Sequence, residues 1–366
     1  MKIAFLDFAG WDYTPTAPLE GPLGGTQSAI CYLAMQLAAN GHQVALINHA
    51  SKPGQYAGVD CPGEAVGMAP EYINGFDAVI VSGIALARNM RNRGVTTKLM
   101  LWTGLAHDQP PMQSLKDPNE RSAWDGFVFV SDWQKDHYVR AFGVNPAKSV
   151  ILRNAISPAF ENLAKAPPFF ERGEPPVLTY TSTPFRGLDV LVLAFPIVRS
   201  LVPGCRLKVF SSMAVYRADD QQFEILYKIC EALEGVDYVG AIGQKDLARE
   251  LAAIDILAYP NTFDETSCIA IMEAMAAGCL VVTSKSGALP ETLDGHGFLV
   301  ESNVPRHTFA YNFAMKVVET IRAASANPGE YAARLARQDD FVTRNLTWKV
   351  RAPEWETWLL ARLAQG

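Results

Sequence analysis

The sequence predicts an α/β protein built as two Rossmann-like domains, and three observations carry that prediction. Short β-branched runs alternate with helical-period segments along the whole chain, the pattern of βαβ units around a parallel sheet. The 366 residues are too many for one ordinary core and suit two domains of roughly 150 residues each, facing each other across a cleft. A proline-rich stretch midway separates two similar sets of runs.

In the first half the predicted strands are Lys2–Asp7, Gln43–Ile47, Ala78–Ser82, Lys98–Trp102, Phe127–Ser131 and Ser149–Leu152. In the second they are Val177–Thr181, Arg206–Phe210, Val236–Val239, Ile254–Tyr259, Cys279–Thr283 and Phe298–Val300. Between them, residues 164–176 contain Pro167, Pro168, Pro175 and Pro176, which suppress helix and favour an extended connector. The predicted domains are therefore 1–166 and 167–346. In the last segment, 347–366, Trp348, Val350, Trp355, Trp358, Leu359 and Leu363 recur at helical spacing. That stripe predicts a terminal helix returning to the first domain.

Hydrophobic content of 49% and charged content of 19%, without low-complexity tracts, describe a chain that packs a core. A net charge of −6 argues against nucleic acid as a partner, since neutralising phosphates needs a concentrated excess of Lys and Arg. The six cysteines are scattered, with no C-x-x-C spacing, and read as small buried hydrophobes. Asp7 interrupts the first apolar run too early for a secretory signal, and no run approaches the roughly 18 apolar residues of a membrane span. A cytoplasmic protein is expected. Arg88, Arg91, Arg93 and Lys98, with no acid between them, fit either peripheral contact with the inner membrane face or a solvated helix end.

In open parallel sheets ligands sit beyond the carboxyl ends of the strands, so the residues just after each run are the informative ones. After the first strand, Gly24-Gly25 opens a helix that stops at Asn40-Gly41; its free N–H groups suit an anion such as a diphosphate, though an ordinary tight turn has the same glycines. After the fourth strand, His107-Asp108 suits polar or proton-transfer work, or a turn cap. Ser131 and Gln134 form a capping box with a structural role. In the second domain Arg186 stands after the first strand, where its fork would pair with phosphate oxygens.

The sharpest signal is the stretch 260–278. A loop of small polar residues opens a helix that is apolar nearly all round except for Glu273. A carboxylate there needs a partner, because leaving it unpaired costs several kcal/mol. Glu265 precedes it by eight residues, about 12 Å of helix axis, so the two acids would grip both ends of one ligand. The structural alternatives are a charge at a helix N-terminus for Glu265 and an internal ion pair for Glu273.

Over nearly its whole length the chain resembles the retaining nucleotide-sugar glycosyltransferases of the GT-B fold, group 1 (family 4 type). The E-x7-E element, Glu265 to Glu273 running into Glu273-Ala274-Met275-Ala276-Ala277-Gly278, is the strongest part; Gly24-Gly25, His107-Asp108, 128–134, Arg186-Gly187-Leu188 and Leu289-Pro290-Glu291 support it. The resemblance implies that Glu265 and the backbone of Thr266, Ser267 and Cys268 contact the donor sugar and distal phosphate, and that Glu273 binds ribose hydroxyls. It implies that Gly25 offers its N–H to the diphosphate, Arg186 neutralises it, His107 positions the sugar near its anomeric carbon, and the nucleobase lies near Gly240 to Gly243. The family usually places two cations on the diphosphate, whereas this chain keeps only Arg186, with Ser182 about where the other would be. The family's Asn-Gly after the last strand of the first domain is here Asn154-Ala155, so that turn is expected to avoid positive φ.

The sequence holds no D-x-D, which implies a metal-independent enzyme with no cofactor beyond its nucleotide-diphosphate sugar (UDP or GDP type). The implied reaction transfers a hexose-type sugar to a hydroxyl with retained configuration. A nucleotide-sugar epimerase of the same fold and a catalytically silent sugar-nucleotide binder are the alternatives; a dehydrogenase lacks its glycine fingerprint. The acceptor, a saccharide, a lipid-linked sugar or a small molecule, is not legible, although the loop 9–23 offers Trp11 and Tyr13 for stacking on sugars.

Overall fold

The computed structural model describes residues 1–365, which divide into two compact units. The first comprises Met1–Glu20, Gly25–Ala155 and residues 348–365, the second Gly21–Gly24 and Ile156–Thr347.

The first unit is built on β1 (Lys2–Asp7), β2 (Gln43–Ile47), β3 (Gly54–Tyr56), β4 (Val59–Cys61), β5 (Ala78–Ser82), β6 (Lys98–Trp102), β7 (Gly126–Phe129) and β8 (Ser149–Ile151). They form one sheet in the order β3-β4-β2-β1-β5-β6-β7-β8, parallel except where β3 meets β4. The central strands are apolar without alternation because helices cover both faces; every residue of β5 is buried. The β3–β4 hairpin was not expected from sequence. Its strands are three residues long and its turn, Ala57-Gly58, has positive φ at both positions without the Asn-Gly or Asp-Gly that usually announces one.

The second unit holds β9 (Val177–Tyr180), β10 (Arg206–Val209), β11 (Val236–Tyr238), β12 (Ile256–Tyr259), β13 (Leu280–Ser284) and β14 (Phe298–Val300), all parallel in the order β11-β10-β9-β12-β13-β14. Neighbours on either side of β9 are reached by connections running in opposite directions, so the switch point of this sheet lies between β9 and β12. Several strands stop one or two residues before their apolar runs do, as at Thr181 and Phe210, and those residues open the loops that build the site.

The terminal helix, Trp348–Leu363, belongs to the first unit and packs on the helix Gly25–Ala39. Trp355, fully buried, meets the Trp102 ring edge-on at 4.9 Å between centroids. A Cβ at Gly126 would stand 2.9 Å from the Trp358 ring, so that strand position needs glycine for the helix to seat. Outside the stripe, Glu356 accepts from Asn40 at 2.6 Å and pairs with His42 at 3.2 Å.

The units divide at Ala155/Ile156, eleven residues before the predicted boundary at 166/167. Ile156 and Phe160 are buried in the second core, and the Ile156 N–H donates to the Leu346 carbonyl. The proline segment is not a free extended connector either: it contains a short helix, Phe169–Arg172, stitched down by Asp255, which accepts from the Phe169 and Val177 N–H groups and pairs with Arg172. Asn154 and Ala155 both avoid positive φ. Among the described residues no helix is long and apolar enough to cross a membrane.

Candidate functional site

At the switch point of the second sheet the loops after β9 and β12 bring Arg186 and Glu265 together. The chain leaves β9 through a single 3-10 turn, Pro184–Arg186, and passes Gly187 at φ +107°. A Cβ on Gly187 would stand 2.0 Å from the Pro260 carbonyl oxygen, so only glycine lets the two loops approach this closely. Glu265 is set from the other side: Gly287, at φ +53°, would put a Cβ 2.4 Å from the Glu265 carbonyl oxygen, and the Ala288 N–H donates to that oxygen at 2.7 Å.

The Arg186 guanidinium donates through Nη1 to Glu265 Oε1 and through Nη2 to the Tyr216 hydroxyl at 3.1 Å, with the Phe263 ring centroid 4.9 Å from its central carbon. Tyr259, buried beneath, donates its hydroxyl to the same Glu265 oxygen at 2.8 Å. Burial opposes charge on Arg186, but the carboxylate of Glu265 outweighs it, and the guanidinium stays charged well above its ordinary range. The two residues expected to meet a sugar and a diphosphate are thus each other's partners.

Glu273 lies elsewhere in the arrangement. The helix that carries it spans only Ile269–Ala276, with Cys268 at its N-cap, so Glu265 sits in the preceding loop and the 12 Å helical spacing between the two acids does not apply. Glu273 is 4% exposed; it accepts from the Ser157 N–H at 3.2 Å and from the side chain of Gln244, neither of them a cation. Burial pushes its carboxyl up to about 8, against the pull of those two hydrogen bonds.

The loops of this unit carry buried polar atoms that, among the described residues, have no hydrogen-bond partner: Thr181 Oγ1, Thr183 Oγ1, Ser211 Oγ, Ser267 Oγ, Arg186 Nε and Gln244 Oε1. They follow β9, β10, β11 and β12, and such atoms are uncommon in a finished core. Thr266 and Cys268 are buried beside Glu265, and burial raises the Cys268 thiol far above its usual range. Ser182, standing where a second cation was expected, lies 3.4 Å from the Tyr259 hydroxyl. Gly243 caps the helix Gln244–Leu251, which opens in the region expected to hold a base.

In the first unit the helix Gly25–Ala39 starts at the predicted glycine, with Gly24 buried before it, and ends at Gly41 in the left-handed region. A Cβ on Gly104 would come within 3.1 Å of Thr26 Oγ1, so the helix start and the loop holding His107 are neighbours. His107 and Asp108 are not bonded to each other: Asp108 is exposed, whereas the His107 ring lies 5.1 Å from the His137 ring, which is tilted against the Trp133 ring at 4.1 Å between centroids. Sequence reading missed Trp133 and His137, although their spacing of four on one helix face was visible.

The capping box does more than start that helix. Ser131 Oγ accepts from the Gln134 N–H, Gln134 Oε1 accepts from Val130, and Gln134 Nε2 donates to the Thr103 and Leu105 carbonyls at 2.9 and 2.8 Å, fixing the loop that carries His107. Tyr13, expected to stack on a sugar, is instead 3% exposed and donates to Asp7 at 2.7 Å. In the basic stretch Arg88 pairs with Asp117, and Arg91 and Lys98 pair with Asp125, so three of its four cations are engaged within the unit.

A sequence model of the family described as "Glycosyl transferases group 1" matches residues 175–319. The chain is 26% identical over 240 residues to the phosphatidyl-myo-inositol mannosyltransferase of Propionibacterium freudenreichii, 65% of this chain and 56% of that protein. It is 32% identical over 126 residues to the lipopolysaccharide 1,2-N-acetylglucosaminetransferase of Salmonella typhimurium, 32% of this chain and 33% of that one. The chain thus spans about half or less of the length of the curated relatives it matches. Among solved structures, a glycosyltransferase from Rickettsia africae superposes with a TM-score of 0.74 at 15% identity, covering 100% of this chain and 99% of that one. Anabaena HepE in complex with UDP gives 0.71 at 15%, covering 99% and 100%. The fold is GT-B, and the stretch similar to the group 1 glycosyltransferases, residues 175–319, contains Arg186, Glu265 and Glu273.

Proposed function

We propose that this protein transfers a hexose-type sugar from a nucleotide-diphosphate donor to a hydroxyl of a glycolipid or saccharide acceptor. The observation that carries the reading is that the loops after β9 and β12, at the switch point of the second sheet, hold the Arg186–Glu265 pair and carry, with the loops after β10 and β11, buried polar atoms that have no hydrogen-bond partner among the described residues. The names of the relatives, a phosphatidylinositol mannosyltransferase and a lipopolysaccharide N-acetylglucosaminetransferase, favour a lipid-linked or glycolipid acceptor.

In this reading Arg186 exchanges the Glu265 carboxylate for the diphosphate as the donor enters. Its fork then stabilises the negative charge that builds on the leaving phosphate as the anomeric C–O bond breaks. Glu265, still held by Tyr259, turns its oxygens to the hydroxyls of the sugar, with the Ser267 hydroxyl and the backbone of Thr266 to Cys268 beside it. Glu273 takes the ribose. With no carboxylate proposed as a nucleophile, the acceptor oxygen attacks from the face the phosphate leaves, and the phosphate takes its proton, so configuration is retained without a metal ion.

The test is a transfer assay with UDP-, GDP- and ADP-linked hexoses and lipid-linked and soluble saccharide acceptors, with products read by NMR. Expected are a product with the donor's anomeric configuration and a rate unchanged by EDTA. An inverted anomer would reject the front-face step, and loss of activity on chelation would reject the metal-free one.

A further inference from the structure

Gln244 has no part in the reading above, yet its side chain is the most specific unfinished interaction in the second unit. It opens the helix Gln244–Leu251 and hydrogen-bonds the Glu273 carboxylate. Among the described residues Gln244 Oε1 has no partner, so the bond to Glu273 runs from the NH2 group, which the carboxyl accepts. The oxygen then points away from Glu273 and is buried. A buried amide oxygen without a donor loses its hydration and gains nothing in return.

That oxygen lies one hydrogen bond and one amide width, about 5 Å, from the carboxylate. The chemistry that fits is a group offering two adjacent O–H donors, one to the carboxylate and one to the amide oxygen. A cis-1,2-diol does this, because its hydroxyls sit on neighbouring carbons and diverge. We infer that Gln244 and Glu273 together form a clamp for the vicinal diol of a ribose, with Gln244 Oε1 accepting from one hydroxyl, so that Gln244 sets the preference for ribo- over deoxyribonucleotides. The inference rests on the proposed donor site and assigns the sugar of the nucleotide, rather than its base, to this glutamine.

The experiment measures binding of UDP, GDP and ADP, and of the 2′-deoxy and 3′-deoxy form of whichever binds, to the wild-type protein and to Gln244→Leu by titration calorimetry. Gln244→Met is the second variant should the first not fold, since either keeps the bulk and removes the acceptor. The wild type is expected to favour the ribonucleotide over one of the deoxy forms by about tenfold, the worth of one neutral hydrogen bond. Substitution at 244 brings that ratio close to one while leaving the order of preference among the bases unchanged. An unchanged ribo-to-deoxy ratio in both variants overturns the inference, as does a change in base preference with the ratio intact. Failure of all three diphosphates to bind the wild type is a different result and overturns the donor-site reading instead.

Discussion

Arg186 and Glu265, 79 residues apart in sequence, bond to each other across the switch point of the second sheet. The pair neutralises two charges in a largely buried setting, and its components hold further bonds to Tyr216 and Tyr259 that do not depend on the pair itself. Each charge therefore has a holder when the other departs, which is what an exchange of Arg186 from carboxylate to diphosphate requires.

Removing one member should cost more than removing both. Arg186→Ala leaves the Glu265 carboxylate buried with only the Tyr259 hydroxyl, a loss of about 3 kcal/mol in urea denaturation. The double variant Arg186→Met with Glu265→Leu should recover most of that stability while transfer activity stays absent. If the two losses simply add, the pair is not coupled and the exchange scheme loses its basis.

Glu273 makes stability depend on pH in a definite direction. Its carboxyl titrates near 4.5 in the unfolded chain and near 8 when folded, so between those values the folded state holds the extra proton. Its contribution is full below about 4.5 and is lost as pH rises through about 8. Glu273→Gln should flatten the fall in stability between pH 5 and pH 8 measured without nucleotide. Equal slopes in the two proteins would show that this carboxyl is not held protonated.

The glycines at the switch point are geometric requirements. Gly287→Ala would force a Cβ to within 2.4 Å of the Glu265 carbonyl oxygen at positive φ, displacing the backbone that aims this carboxylate. A cost of about 3 kcal/mol is expected, with activity falling further than the folded fraction. Activity that tracks the folded fraction alone would show that Glu265 tolerates the shift.

Gln134 is fully buried and holds three backbone groups, two of them in the loop that carries His107. Gln134→Ala should lose about 2–4 kcal/mol and lower kcat in the fraction that remains folded. An unchanged kcat in that fraction would confine Gln134 to stability.

Much of this arrangement was legible in the residues. Strands such as Ala78–Ser82 and Lys98–Trp102 show as continuous apolar runs because their sheet is covered on both faces. The E-x7-E element marked both acids. What could not be read were the partners: Ser157 lies 116 residues from Glu273, and no local rule links Arg186 to Glu265. The boundary was misplaced because prolines signal extended backbone wherever it lies, including backbone pinned by Asp255. Tyr13 looked available because a loop aromatic carries no mark of the buried Asp7 that receives its hydroxyl.

The central claim is that Arg186, Glu265 and Glu273 together bind one sugar nucleotide. Titration calorimetry of UDP-, GDP- and ADP-linked hexoses against the wild-type protein, Arg186→Ala and Glu273→Ala tests it most directly. The account predicts that at least one donor binds the wild type in a one-to-one complex and that each substitution weakens it by tenfold or more. Binding that persists undiminished in both variants, or no binding by any donor, would contradict it.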